Sequence, residues 1–413
     1  MRKLLLMISS LMLLMVGSLP AFAQTEDWSV ILFDGSTNRL IKVDADGTGT
    51  PIDLGLDANT FANEFTFSPD GGLVAFCANR PPMGADQSAI WKLVVRDLAN
   101  ESTVYEQEFT DNQGCRASAF NADASLLAYG VVNYLPWDEN IDSTIPAWEL
   151  RLIDLSGNVV DSLNSNSPGV AELNLDEQFP VMPDVDDFGA DELTVAAYPW
   201  VGMGGISDLP GFVWTLADDS VMLAPDYVGR FNDDRLPTGE TVWSTLDQTI
   251  ASAEPSGPVP QANVVRVADA NGDVRTIYQN TEFVIISTTF VNNGQDVLVQ
   301  LLEAFDPNNQ QQIYGSRFDL VSRDGTVTPL DERYTSFTQG VAVPDGFVIV
   351  WAEHDPTQSE PPISHVDDYS SGTAERIYTY DIPDGSQLIT ILTPAWATPS
   401  TIPTDLPPFT AIN

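Results

Sequence analysis

The chain is short of positive charge. It has 413 residues, of which 17 are lysine or arginine and 59 are aspartate or glutamate, for a formal net charge of -42. A surface of that sign repels phosphate backbones and anionic lipid, so nucleic-acid partners and adhesion to acidic membranes are excluded. Beyond residue 23 the lysines are Lys42 and Lys92. The acidity reads first as a solvating surface and, more sharply, as attraction for cations or a basic partner. Histidine is nearly missing, with His354 and His365 alone, and cysteine is limited to Cys77 and Cys115. Two histidines near each other in sequence leave little material for a Ser-His-Asp arrangement, and no GxSxG elbow occurs. There is no phosphate-cradling glycine loop and no dinucleotide fingerprint, so no cofactor is expected. After the N-terminus no apolar run approaches the roughly 20 residues that a membrane helix needs.

What is present begins with an export signal. Arg2 and Lys3 form a basic start, residues 4–16 are almost unbroken apolar, and Ala21-Phe22-Ala23 supplies a small-x-small cleavage site. Residues 1–23 are read as a signal peptide. Its removal takes two basic residues and no acid, so the charge moves from -42 to -44. The expectation is a secreted or periplasmic protein with no integral membrane segment after cleavage, monomeric, and folded as one domain over 24–413.

The mature chain repeats. Residues 63–79, NEFTFSPDGGLVAFCAN, set alternating Phe65 and Phe67 before a Ser-Pro-Asp-Gly turn and a returning apolar strand. Residues 116–132, RASAFNADASLLAYGVV, repeat this 53 residues later. Weaker copies follow at 186–198, 286–300 and 340–351. Each is joined to a second hairpin, with turns centred on Gly47, Asn100, Gly157, Gly272, Gly325 and Gly385. The successive gaps are 53, 57, 115, 53 and 60 residues. The double gap is filled by a degenerate hairpin, FVWTLADDSVMLAP at 212–225, with its turn at Asp218-Asp219. Two hairpins per unit, repeated radially, predict an all-β propeller of about seven four-stranded blades, with six as the alternative. Divergent loops are inserted within 164–260, and 393–408 is a Pro/Thr-rich closing segment.

FTFSPDGGLVAF followed by IWKLVVRDL resembles the blades of TolB-like, WD-repeat-like bacterial β-propellers. The likeness is good over 63–105, fair over 116–163 and degenerate elsewhere. It implies the fold and is nearly silent on activity.

A propeller must join its first and last blades to avoid bare strand edges. The first outer hairpin follows a single strand near Trp28, so blade one lacks its innermost strand. Residues 409–412 resemble the start of an inner hairpin and are predicted to supply it. Cys77 and Cys115 fall at similar heights in adjacent blades. If Phe67 pairs with Leu73, Cys77 shares a face with Phe65 and Phe67, and Cys115 is out of phase with Phe120. Opposite faces of neighbouring blades meet, which makes a disulfide plausible beside the reading of two buried thiols.

The remaining candidates for chemistry are sparse. Asp44-Ala45-Asp46-Gly47 and Asp269-Ala270-Asn271-Gly272-Asp273 look like fragments of calcium loops but lack the later bidentate acid, so they read as turns. His354, His365 and Asp367, with Glu353, Asp355, Glu360 and Asp368, are candidate metal ligands on one long loop of the last blade. A solvated acidic loop is the simpler account, since the spacing matches no HExxH-type motif. Asp184, Asp186, Asp187, Asp191 and Glu192 form the densest acidic segment. Trp200, Trp214 and Trp243 suit a recognition surface and a blade core equally. No catalytic residue is nominated. The functional expectation is a non-catalytic scaffold that binds a protein, peptide or cell-envelope ligand. The alternative is a carboxylate-dependent polysaccharide hydrolase or lyase on the same fold.

Overall fold

The computed structural model describes residues 28–412, apart from 36, 58, 82–88, 110–112, 134–146, 174–180, 190–191, 200–210, 225–230, 248, 251–261, 304–314, 331–333, 336–337, 354–362, 382–389, 393–401 and 404. The export signal, His354, Trp200, Asp191 and the Gly385 turn lie outside the described residues.

Seven antiparallel sheets follow one another around a ring. Blade two shows how the sequence makes one. Its strands are Phe61–Phe67, Leu73–Arg80, Ile90–Asp97 and Ser102–Glu108, in that order from centre to edge. The inner turn is closed by its own polar side chains. Leu73 N donates to Ser68 Oγ at 2.8 Å, and Gly72 N donates to Asp70 Oδ1 at 3.0 Å. Gly71 takes φ +68°, which a residue without Cβ adopts at little cost. Blade three repeats the design with Asn121 in the place of Ser68, accepting from Leu126 N at 2.9 Å.

Blades four to six are built likewise from strands beginning at Val181–Phe188, Phe231–Arg235 and Phe283–Val291. The degenerate hairpin of the sequence is the outer half of blade four, Gly211–Thr215 paired with Ser220–Ala224. Seven is therefore the blade count. Apolar clusters weld neighbouring blades, such as Val30, Leu32, Val348 and Val366 between blades seven and one. Others fill the seams between blades one and two, two and three, three and four, five and six, and six and seven.

Closure is made by a C-terminal strand, but not by residues 409–412. Thr390–Leu392 pairs with Ser29–Asp34, with Leu32 opposite Ile391, and forms the innermost strand of blade one. The segment read as a last outer hairpin around Gly385 is thus split between two blades. Its first arm, Glu375–Asp381, is the outermost strand of blade seven, and its second is the closing strand. Blade seven turns instead near Gly372, between Ile363–Asp368 and Glu375–Asp381. Two alternating strands a few residues apart look the same in sequence whether they pair or cross to another sheet. The joint is also tied by Tyr380, whose hydroxyl donates to the buried Asp34 carboxylate at 2.7 Å. Burial, and then that hydrogen bond, raise the phenol above its ordinary value.

Residues 409–412 do different work. Phe409 packs with Phe290 in the seam between blades five and six. Thr410 N donates to Arg323 O at 2.8 Å and Ile412 N to Thr276 O at 3.0 Å.

A bulge recurs in the innermost strand of five blades, at Asn63/Thr66, Ala117/Ala119, Val185/Asp187, Phe231/Asp234 and Ile285/Ser287. An extra residue reverses the side-chain phase beyond it. Phe67 consequently pairs with Val74 rather than Leu73. Phe65 and Phe67 face blade one, while Cys77 faces blade three. Cys115 and Phe120 share a face instead of opposing each other. Both phase expectations fail for the same reason, and the two errors compensate. Cys77 and Cys115 are bonded across the seam, with Cα atoms 5.9 Å apart.

Candidate functional site

The strand order gives the ring two unlike ends. Turns within the inner and outer hairpins all fall at one end. Connections from the second strand to the third, and from one blade to the next, all fall at the other. At the turn end the links are short: 68–72, 121–125, 236–240, 292–295 and 344–345 in inner hairpins, and 45–48, 155–158 and 323–326 in outer ones. At the loop end, second and third strands are joined by 81–89, 134–146, 200–210, 246–263, 304–314 and 354–362 in blades two to seven. Blade one, with 35–38, is the exception.

The turn end carries a collar of aspartates, several of them satisfied by their own turns. Asp46 accepts from Thr48 N at 2.8 Å, Asp123 from Ser125 Oγ at 2.6 Å and Asp154 from Asn158 Nδ2 at 2.8 Å. Asp324 accepts from Thr326 N at 2.9 Å. These hydrogen bonds, side chain first for Asp46, Asp123 and Asp154, hold the carboxyls below the usual carboxylate range. The two calcium-loop-like segments belong to this collar. Asp269 Oδ1 accepts from Asn271 N and Asp273 N, and its Oδ2 from Arg275 at 3.2 Å. Its oxygens are engaged in shaping the turn.

Around the axis, innermost strands of three successive blades meet through one cation. Arg116, midway along Gln113–Phe120, places Nη2 2.6 Å from Asp184 Oδ2 in blade four. Its Nε stands 3.4 Å from Glu64 Oε2 in blade two. Glu64 sits in the bulge at φ +52°. Close by in sequence, Asn63 Oδ1 and Ser118 Oγ are buried with no hydrogen-bond partner among the described residues. Arg116 was not singled out from the sequence. Its signal was available in retrospect: a basic residue inside a core strand of a chain with so few.

Of the candidate metal ligands, His354, Asp355 and Glu360 lie outside the described residues, while His365 and Asp367 are placed on a strand rather than a loop. His365 lies inside the third strand of blade seven and is buried. Arg376 Nη1 approaches its Nδ1 at 2.9 Å and Thr379 Oγ1 stands at 3.1 Å. A guanidinium only donates, so Nδ1 accepts. Asp367 is buried beneath the same guanidinium, and its Oδ2 accepts the Trp351 indole N–H at 2.7 Å. Trp351 lies against His365, with ring centroids 4.6 Å apart. This is a polar knot within blade seven, in which the Arg376 guanidinium lies against both His365 and Asp367. No cluster of three or more histidine, cysteine or acidic residues among the described ones is arranged to hold a metal. Asp368 accepts from Ser370 N at 2.8 Å and shapes the neighbouring turn. Trp214 and Trp243 are buried blade core rather than a recognition surface.

No protein-family model and no curated protein matches the chain. Solved structures do resemble it. The β-propeller domain of the Trilobed protease from Pyrococcus furiosus, described as having an open velcro topology, shares 14% identity at a TM-score of 0.47, over 86% of this chain and 100% of that one. An oligogalacturonate lyase from Vibrio parahaemolyticus shares 11% identity at 0.45, over 84% and 94%. TolB from Acinetobacter baumannii shares 13% at 0.35, over 74% of this chain and 64% of that one. No activity of theirs is carried over to this chain.

Proposed function

We propose that the chain is exported and acts as a binding scaffold for a protein, peptide or cell-envelope ligand, held at the loop end of the ring. The observation that carries this reading is the inequality of the two ends. Long connections on a rigid frame are where binding residues concentrate, and the strand ends that such connections join lie at one end of the ring in six of seven blades. Asp46, Asp123, Asp154, Asp269 and Asp324 at the turn end are engaged by their own turns. At the axis, Asn63 Oδ1 and Ser118 Oγ leave hydrogen-bonding capacity for a ligand that offers polar groups.

The test is capture from a cell-envelope fraction, run beside a glycan array. Two forms of the exported chain are compared: wild type, and a form with 134–146 and 251–261 replaced by Gly-Ser linkers. Loss of capture with an unchanged melting temperature is expected. Equal capture by both forms overturns the assignment to the loop end. Export itself is checked by N-terminal sequencing of the released protein, which should begin at Gln24.

A further inference from the structure

Among the described residues each blade ends in an outermost strand whose outer edge carries no further ladder, although in blade five Ile412 N donates to Thr276 O of that strand. Such edges invite pairing with another chain and are ordinarily blunted by charge, proline, bulges or shortness. Six of the seven outermost strands carry such a device. Gly49–Asp53 contains Pro51 and Asp53. Ser102–Glu108 is bulged against its neighbour and carries Glu106 and Glu108. Val159–Asn164 is bulged and carries Asp161. Val274–Gln279 is bulged and carries Arg275. Val327–Pro329 is three residues long and ends in proline. Glu375–Asp381 is bulged and charged at both ends.

Among the described residues blade four is the exception. Its outermost strand, Ser220–Ala224, reads SVMLA, with no charge and no proline, and its register with Gly211–Thr215 is unbroken over five pairs. Met222 is 62% exposed and Leu223 48%. Gly169 of the link from blade three lies close against Val221 but leaves Met222 and Leu223 uncovered. Consecutive residues of a strand point to opposite faces. A body resting on one face would cover one of these side chains and leave the other wet. A strand added to the edge covers both, because its own side chains lie beside them on both faces.

We infer that the edge of Ser220–Ala224 is a strand-addition site for an extended segment of another protein. That segment should alternate apolar residues with polar ones and carry basic flanks. The charge of the chain selects the occupant. A second copy would bring another net charge of -42 against the first, which opposes self-association. Both aspartates of the turn leading into the strand are engaged within blade four, Asp218 by Ser220 N and Asp219 by the Trp214 indole N–H, so the preference for basic flanks rests on the net charge of the chain. Main-chain hydrogen bonds would give the affinity, and Met222 and Leu223 the preference for apolar side chains.

The test uses two synthetic nonapeptides of equal charge on the exported chain. One alternates valine and threonine between terminal lysines. The other has proline at its centre, which removes a ladder donor. Saturable binding of the first, read by fluorescence anisotropy, should exceed binding of the second by about tenfold or more. Amides of 220–224 should gain hydrogen-exchange protection only with the first. Met222→Lys restores the missing charge at an exposed position. It should keep the melting temperature and lose at least tenfold in affinity for the first peptide. No binding by wild type, equal binding of both peptides, or equal binding by wild type and Met222→Lys overturns the proposal. A wild-type dimer in sedimentation that Met222→Lys dissociates also overturns it, in favour of a second copy at the edge.

Discussion

The turn end and the axis of the ring use their carboxylates differently. At the turn end, aspartate is a structural part: Asp46, Asp70, Asp123, Asp154 and Asp324 each accept hydrogen bonds from the turn they sit in. Around the axis, Glu64 and Asp184 share Arg116 across three blades. A large acidic excess is therefore not one property. Part of it is turn chemistry that any tight hairpin favours, and part joins neighbouring blades through a cation. The tertiary ties are also unlike. The turn end is clasped by Arg323, which is buried against Glu240 at 2.7 Å and reaches Pro407 O at 2.6 Å. Its guanidinium also lies 4.4 Å from the Phe409 ring. Blades two and three are instead tied covalently, through Cys77 and Cys115.

The sharpest way to break this contrast is Arg323→Ala. It strands the buried Glu240 carboxylate and releases the C-terminal residues, so a loss of about 3–5 kcal/mol is expected. Chemical denaturation measures it. A loss below about 1 kcal/mol, in the range of exposed pairs, would mean that the clasp does not hold the turn end. Next in size is the disulfide. Its half-cystines are 38 residues apart in sequence, and the double variant Cys77→Ser, Cys115→Ser is expected to lose about 2–4 kcal/mol. A larger loss than that of Arg323→Ala would move the main tie to blades two and three.

The smallest and most distributed effect is acid sensitivity. Turn aspartates whose folded pKa lies below the ordinary 3.8 contribute stability that is present above their unfolded pKa. It is lost as pH falls through the folded one. Melting temperatures should hold from pH 7 to about pH 5 and decline below about pH 4. Replacing Asp70, Asp123 and Asp154 together by asparagine should flatten that decline. An unchanged acid slope would assign it to other carboxylates.

Much of the frame was legible because its signals are local. Ser68-Pro69-Asp70-Gly71 announces its turn, and Phe212 and Trp214 keep alternation in the blade that diverged most. That divergence has a counterpart in the structure, since the degenerate hairpin also carries the edge Ser220–Ala224. The bulges were not legible. Nothing in the residues at 63–66 or 117–119 marks one, yet each reverses every side chain beyond it. His365 was misplaced because Ser364, His365 and Asp367 look like loop, while Val350, Trp351 and Arg376 make them a strand interior. The axial Arg116 was passed over because its partners lie in other blades.

By itself the amino-acid sequence determined the four-stranded blade and pointed to about seven of them, with six as the alternative that the strand pairing removed. Strand alternation and turn geometry act within a few residues and repeat wherever the pattern repeats. Only the tertiary structure decided that Thr390–Leu392 closes the ring while 409–412 clasps blades five and six. Both segments are short and apolar, and their choice of neighbour depends on partners that the chain brings together only after it has turned through the whole ring.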